Sequence, residues 1–328
     1  MPENNTSKAP YFVGVDLGGT KILAGVLDGA FQCISRSKLS TKPERGEEEV
    51  IDRIARCIQD AVDESDLSLR QIRGIGLGAP GAVDCREGRV IFAPNLGWKD
   101  IALKKALEKR LDIPVFVEND CKLHTLGVYE AELQGKPRHL IGIFLGTGIG
   151  AGLILDGKPY SGHNGTAGEV GHMVIDVDGP ECACGNHGCF EALASRRAIF
   201  RNIQAAVKKG QQTVLTDMLG SDLADLRSGD LRKAIRRGDR FVEGIVEQAA
   251  EYTGIAVGNL INLFNPEVIV LGGGIIEQLE GEMMSIIEKR ARQQALPGTA
   301  KGIDIRATRL GDDAGITGGA VLAQREMK

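Results

Sequence analysis

The sequence predicts an α/β protein of two domains, on three observations. Strand-like and helix-like segments alternate from the start of the chain to about residue 120. Residues 12–29, FVGVDLGGTKILAGVLDG, have a counterpart at 140–157, LIGIFLGTGIGAGLILDG. Each runs strand, glycine turn with a threonine, strand and a closing Leu-Asp-Gly, so two related α/β domains each contribute one loop. The length, 328 residues, suits one large or two medium domains. The expected division is a disordered tail at 1–10, a small α/β domain of 11–120 plus 308–328, and a large α/β domain of 121–307.

The elements follow in order. Residues 11–29 read as two β-rich runs around a tight glycine loop. In 47–64, Val50, Ile51, Ile54, Ile58 and Ala61 recur at helical spacing. IRGIGLGAPGAVD is a strand entering a Gly-Pro loop, and a helix is expected near 99–111. IPVFVEND (113–120) is a short apolar strand ending in two polar residues, with a helix after it. Beyond 190 the chain turns helical, and 243–264 is a largely apolar helix. EVIVLGGGI (267–275) is a buried strand running into three glycines, and GDDAGITGGAVLAQREMK is a glycine-rich turn into a last helix.

Composition narrows the function classes. The net charge of −4 and the absence of a long Lys/Arg run argue against a nucleic-acid surface. No apolar run is long enough to span a bilayer, and MPENNTSKAP lacks the apolar core of a secretory signal. A reducing cytoplasm is therefore expected. There, clustered cysteines bind metal or do chemistry more often than they form disulfides.

Three glycine loops follow three strands: Gly18-Gly19-Thr20, Gly146-Thr147-Gly148 and Gly272-Gly273-Gly274. Glycine lets a backbone approach a phosphate and turn its N–H groups toward it. None of the three is a GxxxxGK[ST] loop or heads a GxGxxG helix. Together they fit a nucleotide held between two domains. Asp16, just before the first loop, suits a water-bridged Mg²⁺, or satisfies turn N–H groups. Asn119-Asp120 closes a strand where α/β sheets bind ligands. Asp120 there suits a base that accepts a hydroxyl proton, or a helix N-cap.

The cysteine cluster ECACGNHGCFE (181–191) supplies Cys182, Cys184 and Cys189. With His172, or with His187 in its place, they make a Cys₃His set suited to a closed structural zinc site.

In combination, DLGGTK, GAPGAVD, END, LGTGIGAG, GTAGEVGH, CACGNHGCFE and VLGGGI resemble the ROK family (repressors, open reading frames and sugar kinases) of the actin-like ATPase superfamily. The likeness is strongest to the family's bacterial glucokinases and covers nearly the whole chain. It implies a two-domain actin-like ATPase (ribonuclease H-like) fold with a ligand cleft between the domains. It implies that Asp16, Gly18, Gly19, Thr20 and Lys21 form the first phosphate loop, Thr147 and Gly148 the second, and that Gly272, Gly273 and Gly274 lie near the adenosine. Asp120 matches the catalytic base. Asn95, Asn119, Glu169, His172 and Glu191, with Gly81 close by, match sugar-binding positions. His172, Cys182, Cys184 and Cys189 match the zinc ligands, favouring His172 over His187.

The resemblance thus implies ATP-dependent phosphorylation of a hexose, glucose first, at the 6-hydroxyl, with Mg²⁺ beside the ATP and structural zinc in the 172–189 segment. The expected partners are a sugar and ATP, with no nucleic acid and no membrane, and the expected assembly is a homodimer or homotetramer. Other sugars (N-acetylmannosamine, N-acetylglucosamine, fructose, allose) and a polyphosphate donor stay open. A sugar-sensing repressor is disfavoured, because only ten residues precede Tyr11. One stretch departs from the family's ENDANAAALGE: this chain reads ENDCKLHTLGV, with Cys121, Lys122, His124 and Val128 after the expected base.

Overall fold

A computed structural model describes residues 10–328 and divides the chain into two compact units. The tail expected at 1–10 lies, apart from Pro10, outside the described residues.

The first unit runs through Lys136 and takes in Pro159–Ala167 and Asp312–Lys328. Its elements are β1 (Tyr11–Leu17), β2 (Lys21–Leu27), β3 (Cys33–Ser40), α1 (Glu47–Asp63), β4 (Ile72–Ala79), β5 (Ala82–Asp84), β6 (Arg89–Ala93), β7 (Trp98–Ile101), α2 (Leu103–Leu111), β8 (Val115–Asn119) and α3 (Asp120–Gly127). The helix expected near 99–111 starts later than predicted, because Trp98–Ile101 pairs with β6 as a strand. The main sheet has the order β3-β2-β1-β4-β8, with β4 and β8 parallel to β1.

The second unit comprises Pro137–Lys158 and Gly168–Gly311. It holds β9 (Leu140–Leu145), β10 (Ile149–Leu155), the start of β11 (Lys158–Pro159, whose second residue counts with the first unit), α4 (Phe190–Ala194), α5 (Arg196–Lys208), α6 (Val214–Leu219), α7 (Ser228–Arg236), α8 (Arg240–Phe264), β12 (Val268–Gly272), α9 (Gly274–Gln294) and β13 (Asp304–Ala307). Its sheet order, β11-β10-β9-β12-β13, repeats that of the first sheet strand for strand. This is the architecture that the 12–29 and 140–157 repeat calls for. α8 is apolar along its middle because Val246, Ala249, Val257, Leu260 and Ile261 are buried, and it packs on α9.

The last helix, α10 (Asp313–Glu326), belongs to the first unit and lies on β1 and β4. Glycine makes that contact possible. A Cβ on Gly14 would fall on the Ile316 carbonyl, and one on Gly76 on the Gly319 carbonyl. With hydrogen at these positions, the helix backbone sits directly on the sheet, and GITGGA reads as a packing surface.

The same helix explains where the first unit ends. α3 packs along α10, and a Cβ on Gly127 would meet the Ala314 carbonyl. The unit therefore continues to Lys136, where the sequence reading divides the chain after 120. Pattern alone locates a helix after IPVFVEND, but not the neighbour that claims it.

Candidate functional site

The first unit gathers its chemistry at the carboxyl ends of β1 and β8. Asn119 ends β8 and caps α3, its Oδ1 accepting from the Cys121 N–H (3.0 Å) and the Lys122 N–H (3.2 Å). Its Nδ2 donates to the Gly81 carbonyl at 3.1 Å. Gly81 has φ 84, and a Cβ there would run into the Phe92 carbonyl, so glycine is required.

With Asn119 as cap, Asp120 is released from that role. Its carboxylate accepts the Cys121 N–H at 2.8 Å. Burial pushes its pKa up to about 6; His124 works against that rise and Asp16 adds to it. A carboxylate poised there is a proton acceptor near neutral pH.

Asp16 is 8% exposed at the end of β1. His124 Nε2 lies 3.4 Å from its Oδ2. Burial opposes charge on His124, but Asp16 and then Asp120 outweigh it, and the histidine pKa is raised. The departure at 124 thus puts a cation-forming group among the acids of the site.

The first glycine loop follows Asp16. Gly18 N–H donates to the Lys21 carbonyl at 2.9 Å. Thr41, fully buried, braces the loop from behind: its hydroxyl donates to the Gly18 carbonyl (2.7 Å), and its N–H to the Thr20 carbonyl (3.0 Å). Sequence reading misses Thr41; its place after a strand on the neighbouring hairpin was the only signal. A Cβ on Gly19 would meet nothing nearer than Asn95, at an ordinary 3.4 Å. Crowding within the protein does not demand glycine there, and the backbone is open to an approaching group. Lys21 forms an ion pair with Asp312, which Lys38 also approaches at 3.6 Å.

Lys122 is turned inward. Its side chain is 11% exposed and donates to the Gly165 carbonyl, with Glu118 3.7 Å away. Glu118 also accepts from Cys85 Sγ (3.0 Å) and the Asn119 N–H (2.8 Å). Burial and then Glu118 push the Cys85 thiol up to about 12, which keeps it protonated.

The second unit has its own glycine loop. Gly146 N–H donates to the Gly148 carbonyl at 2.9 Å, and a Cβ on Gly146 would be 3.9 Å from its nearest neighbour. Glu191 Oε2 accepts the Ile149 N–H at 2.9 Å, and a Cβ on Gly148 would strike that carboxylate. Arg196 donates to the Thr147 hydroxyl. In the third loop, Gly273 has φ 86, and a Cβ on Gly272 would press on Phe144 and Thr308 at 2.8 Å. Only Gly274 has open space.

Glu169 is exposed and precedes the short 3₁₀ turn Val170–His172. Beyond it, the ligand atoms of His172, Cys182, Cys184 and Cys189 all lie within 4.8 Å of one another. Cys182 Sγ is 3.8 Å from His172 Nδ1, and Cys184 Sγ is 3.7 Å from Cys189 Sγ. A tetrahedron with zinc–sulfur bonds of about 2.3 Å has edges of about 3.8 Å. The donor set and its spacing therefore fit a zinc ion. His187 is exposed and lies outside this group. The Asn186 N–H lowers Cys184 to about 7, while burial raises Cys189 to about 12. There is no disulfide among the described residues, and no described helix is long and apolar enough to cross a membrane.

Comparison with known proteins places this arrangement. The chain is 34% identical over 320 residues to a glucokinase of Halalkalibacterium halodurans, covering 96% of each. A ROK family glucokinase from Streptomyces griseus, solved with glucose and AMPPNP, superposes with a TM-score of 0.84 at 32% identity, over 96% of this chain and 99% of that one. A ROK family transcriptional regulator, a homologue of the E. coli MLC protein, gives 0.82 at 28% identity, over 97% of this chain and 79% of that one. These likenesses bear out the actin-like ATPase fold that the motifs implied. The ROK family model matches residues 12–326. On that match, the chain belongs to the ROK family.

Proposed function

We propose that the protein is an ATP-dependent hexose kinase, with glucose the first choice of acceptor and the 6-hydroxyl the site of phosphorylation. The observation that carries this reading is Asp120, a carboxylate at the start of α3, freed from capping by Asn119 and raised to about 6.

In this reading Asp120 accepts the hydroxyl proton as that oxygen attacks the γ-phosphorus. The bond from that phosphorus to the bridging oxygen breaks, giving the sugar phosphate, ADP and a proton. The Gly19 N–H offsets phosphate charge, while the N–H groups of Gly18 and Gly146 hold the two loops in shape through their own bonds to Lys21 and Gly148. Mg²⁺ bound with the ATP supplies further charge compensation, and Asp16 is the residue that would hold it through water. Gly272, Gly273 and Gly274 are assigned to the adenosine.

Asn95, Glu169, His172 and Glu191 are assigned to sugar hydroxyls, with Asn119 and Gly81 shaping the turn beside Asp120. Zinc held by His172, Cys182, Cys184 and Cys189 would be closed to substrate and would brace the segment. With Nδ1 turned to the cysteines, His172 keeps Nε2 for a hydroxyl.

A coupled ATP-consumption assay over a panel of sugars tests the reading. Turnover with glucose, lost in Asp120→Asn while sugar binding persists, is expected. Failure of every sugar, with specific DNA binding controlled by a sugar, would instead favour a regulator like the one it superposes on.

A further inference from the structure

Arg196 is unclaimed by any role above, yet it touches the second glycine loop twice. Its N–H donates to the Gly146 carbonyl at 3.0 Å, and its guanidinium donates to the Thr147 hydroxyl. The side chain is half-buried at the start of α5, beside a second arginine, Arg197. Burial and then Arg197 both work against its charge. Among the described residues no carboxylate pairs with it. Glu191, the acid of this loop, holds the Ile149 N–H instead. A guanidinium has five N–H donors in a planar fork, and the structure uses one of them, on Thr147.

A half-buried cation with unused donors, fixed to a loop that leaves space beside Gly146, calls for an anion. We infer that Arg196 binds the terminal phosphates of the phosphoryl donor, together with the Gly146–Gly148 loop. The inference rests on the kinase reading for the identity of the donor. A nucleoside triphosphate and an inorganic polyphosphate share that chemistry.

The test compares Arg196→Gln with Arg196→Lys. Glutamine keeps an N–H for Thr147 and drops the charge, whereas lysine keeps the charge and drops the fork. The Gly146 link is main-chain and survives both. KM is measured for ATP and for polyphosphate at saturating sugar, with tripolyphosphate titrated calorimetrically into each protein.

Loss of a charge-assisted contact raises KM for the donor about tenfold or more in the glutamine variant. Lysine falls between it and wild type, and KM for the sugar stays within about twofold. A rise confined to one donor identifies the source of the phosphates. If the glutamine variant matches wild type, or lysine does no better than glutamine, the inference fails while wild-type turnover leaves the kinase reading standing. If no sugar is phosphorylated but tripolyphosphate binding is lost in Arg196→Gln, the phosphate site stands and the kinase reading fails.

Discussion

The two five-stranded sheets share one strand order and one hairpin motif, but their loops carry different chemistry. The first loop follows Asp16, and His124 and Asp120 gather beside that carboxylate. At the matching place in the second hairpin stands Phe144, 7% exposed. A Cβ on Gly272 would meet its ring at 2.8 Å, so Phe144 fills the unit's interior. The second loop holds a cation instead, Arg196 on Thr147. A duplicated scaffold thus supplies two similar backbone loops, and single positions set acids beside one and a cation on the other.

The hairpins also differ in length. Leu17 pairs with Ile22, leaving four residues in the first turn, whereas Leu145 pairs with Ile149, leaving three. The register therefore shifts by one residue. Because side chains alternate, matching residues of β2 and β10 face opposite sides relative to the strand they follow.

Asp120→Asn is expected to break the acidic side of this contrast most severely, lowering kcat by about 10³-fold or more with sugar affinity retained. Steady-state kinetics with a sugar-binding titration checks both halves. The wild type should show an acid limb in kcat/KM near pH 6, absent from any activity the variant retains.

Asp16→Asn comes next, with a fall of about 10²-fold that added magnesium partly offsets. Its counterpart, Phe144→Ala, should cost about 3 kcal/mol in urea unfolding. A catalytic loss from Phe144→Ala as large as that from Asp16→Asn would erase the distinction between the loops.

Elemental analysis should find about one zinc per wild-type chain and none in Cys184→Ser, whose sugar KM should rise with kcat less affected. Zinc-free wild type would overturn that assignment.

The smallest expected effect is on stability. The folded pKa of Asp120 lies above its usual 3.8, so the folded state binds the proton more tightly. That carboxylate therefore destabilises the fold increasingly as pH rises from about 4 to 6, and fully above. Asp120→Asn should raise the melting temperature at pH 8 and leave it unchanged at pH 3.5.

Much of the site was readable in advance because its signals are local. A glycine loop between two β-rich runs, an Asn-Asp pair ending a strand and three cysteines within eight positions need no knowledge of distant neighbours. Base and N-cap are both open for Asp120 from the sequence, and the hydrogen bonds assign the cap to Asn119. Lys122 gives no such local signal, because its partner Gly165 lies more than forty positions away.

Repetition, alternation and motif spacing were thus enough for two α/β units, three loops and a Cys₃His cluster. Folding in three dimensions settled the rest: the one-residue register shift, the reach of the first unit to Lys136, Thr41 behind the first loop and Arg196 on the second. The reason is physical. Turns and periodic faces arise from neighbouring residues, whereas a partner across the fold exists only once packing has brought distant segments within a few ångströms.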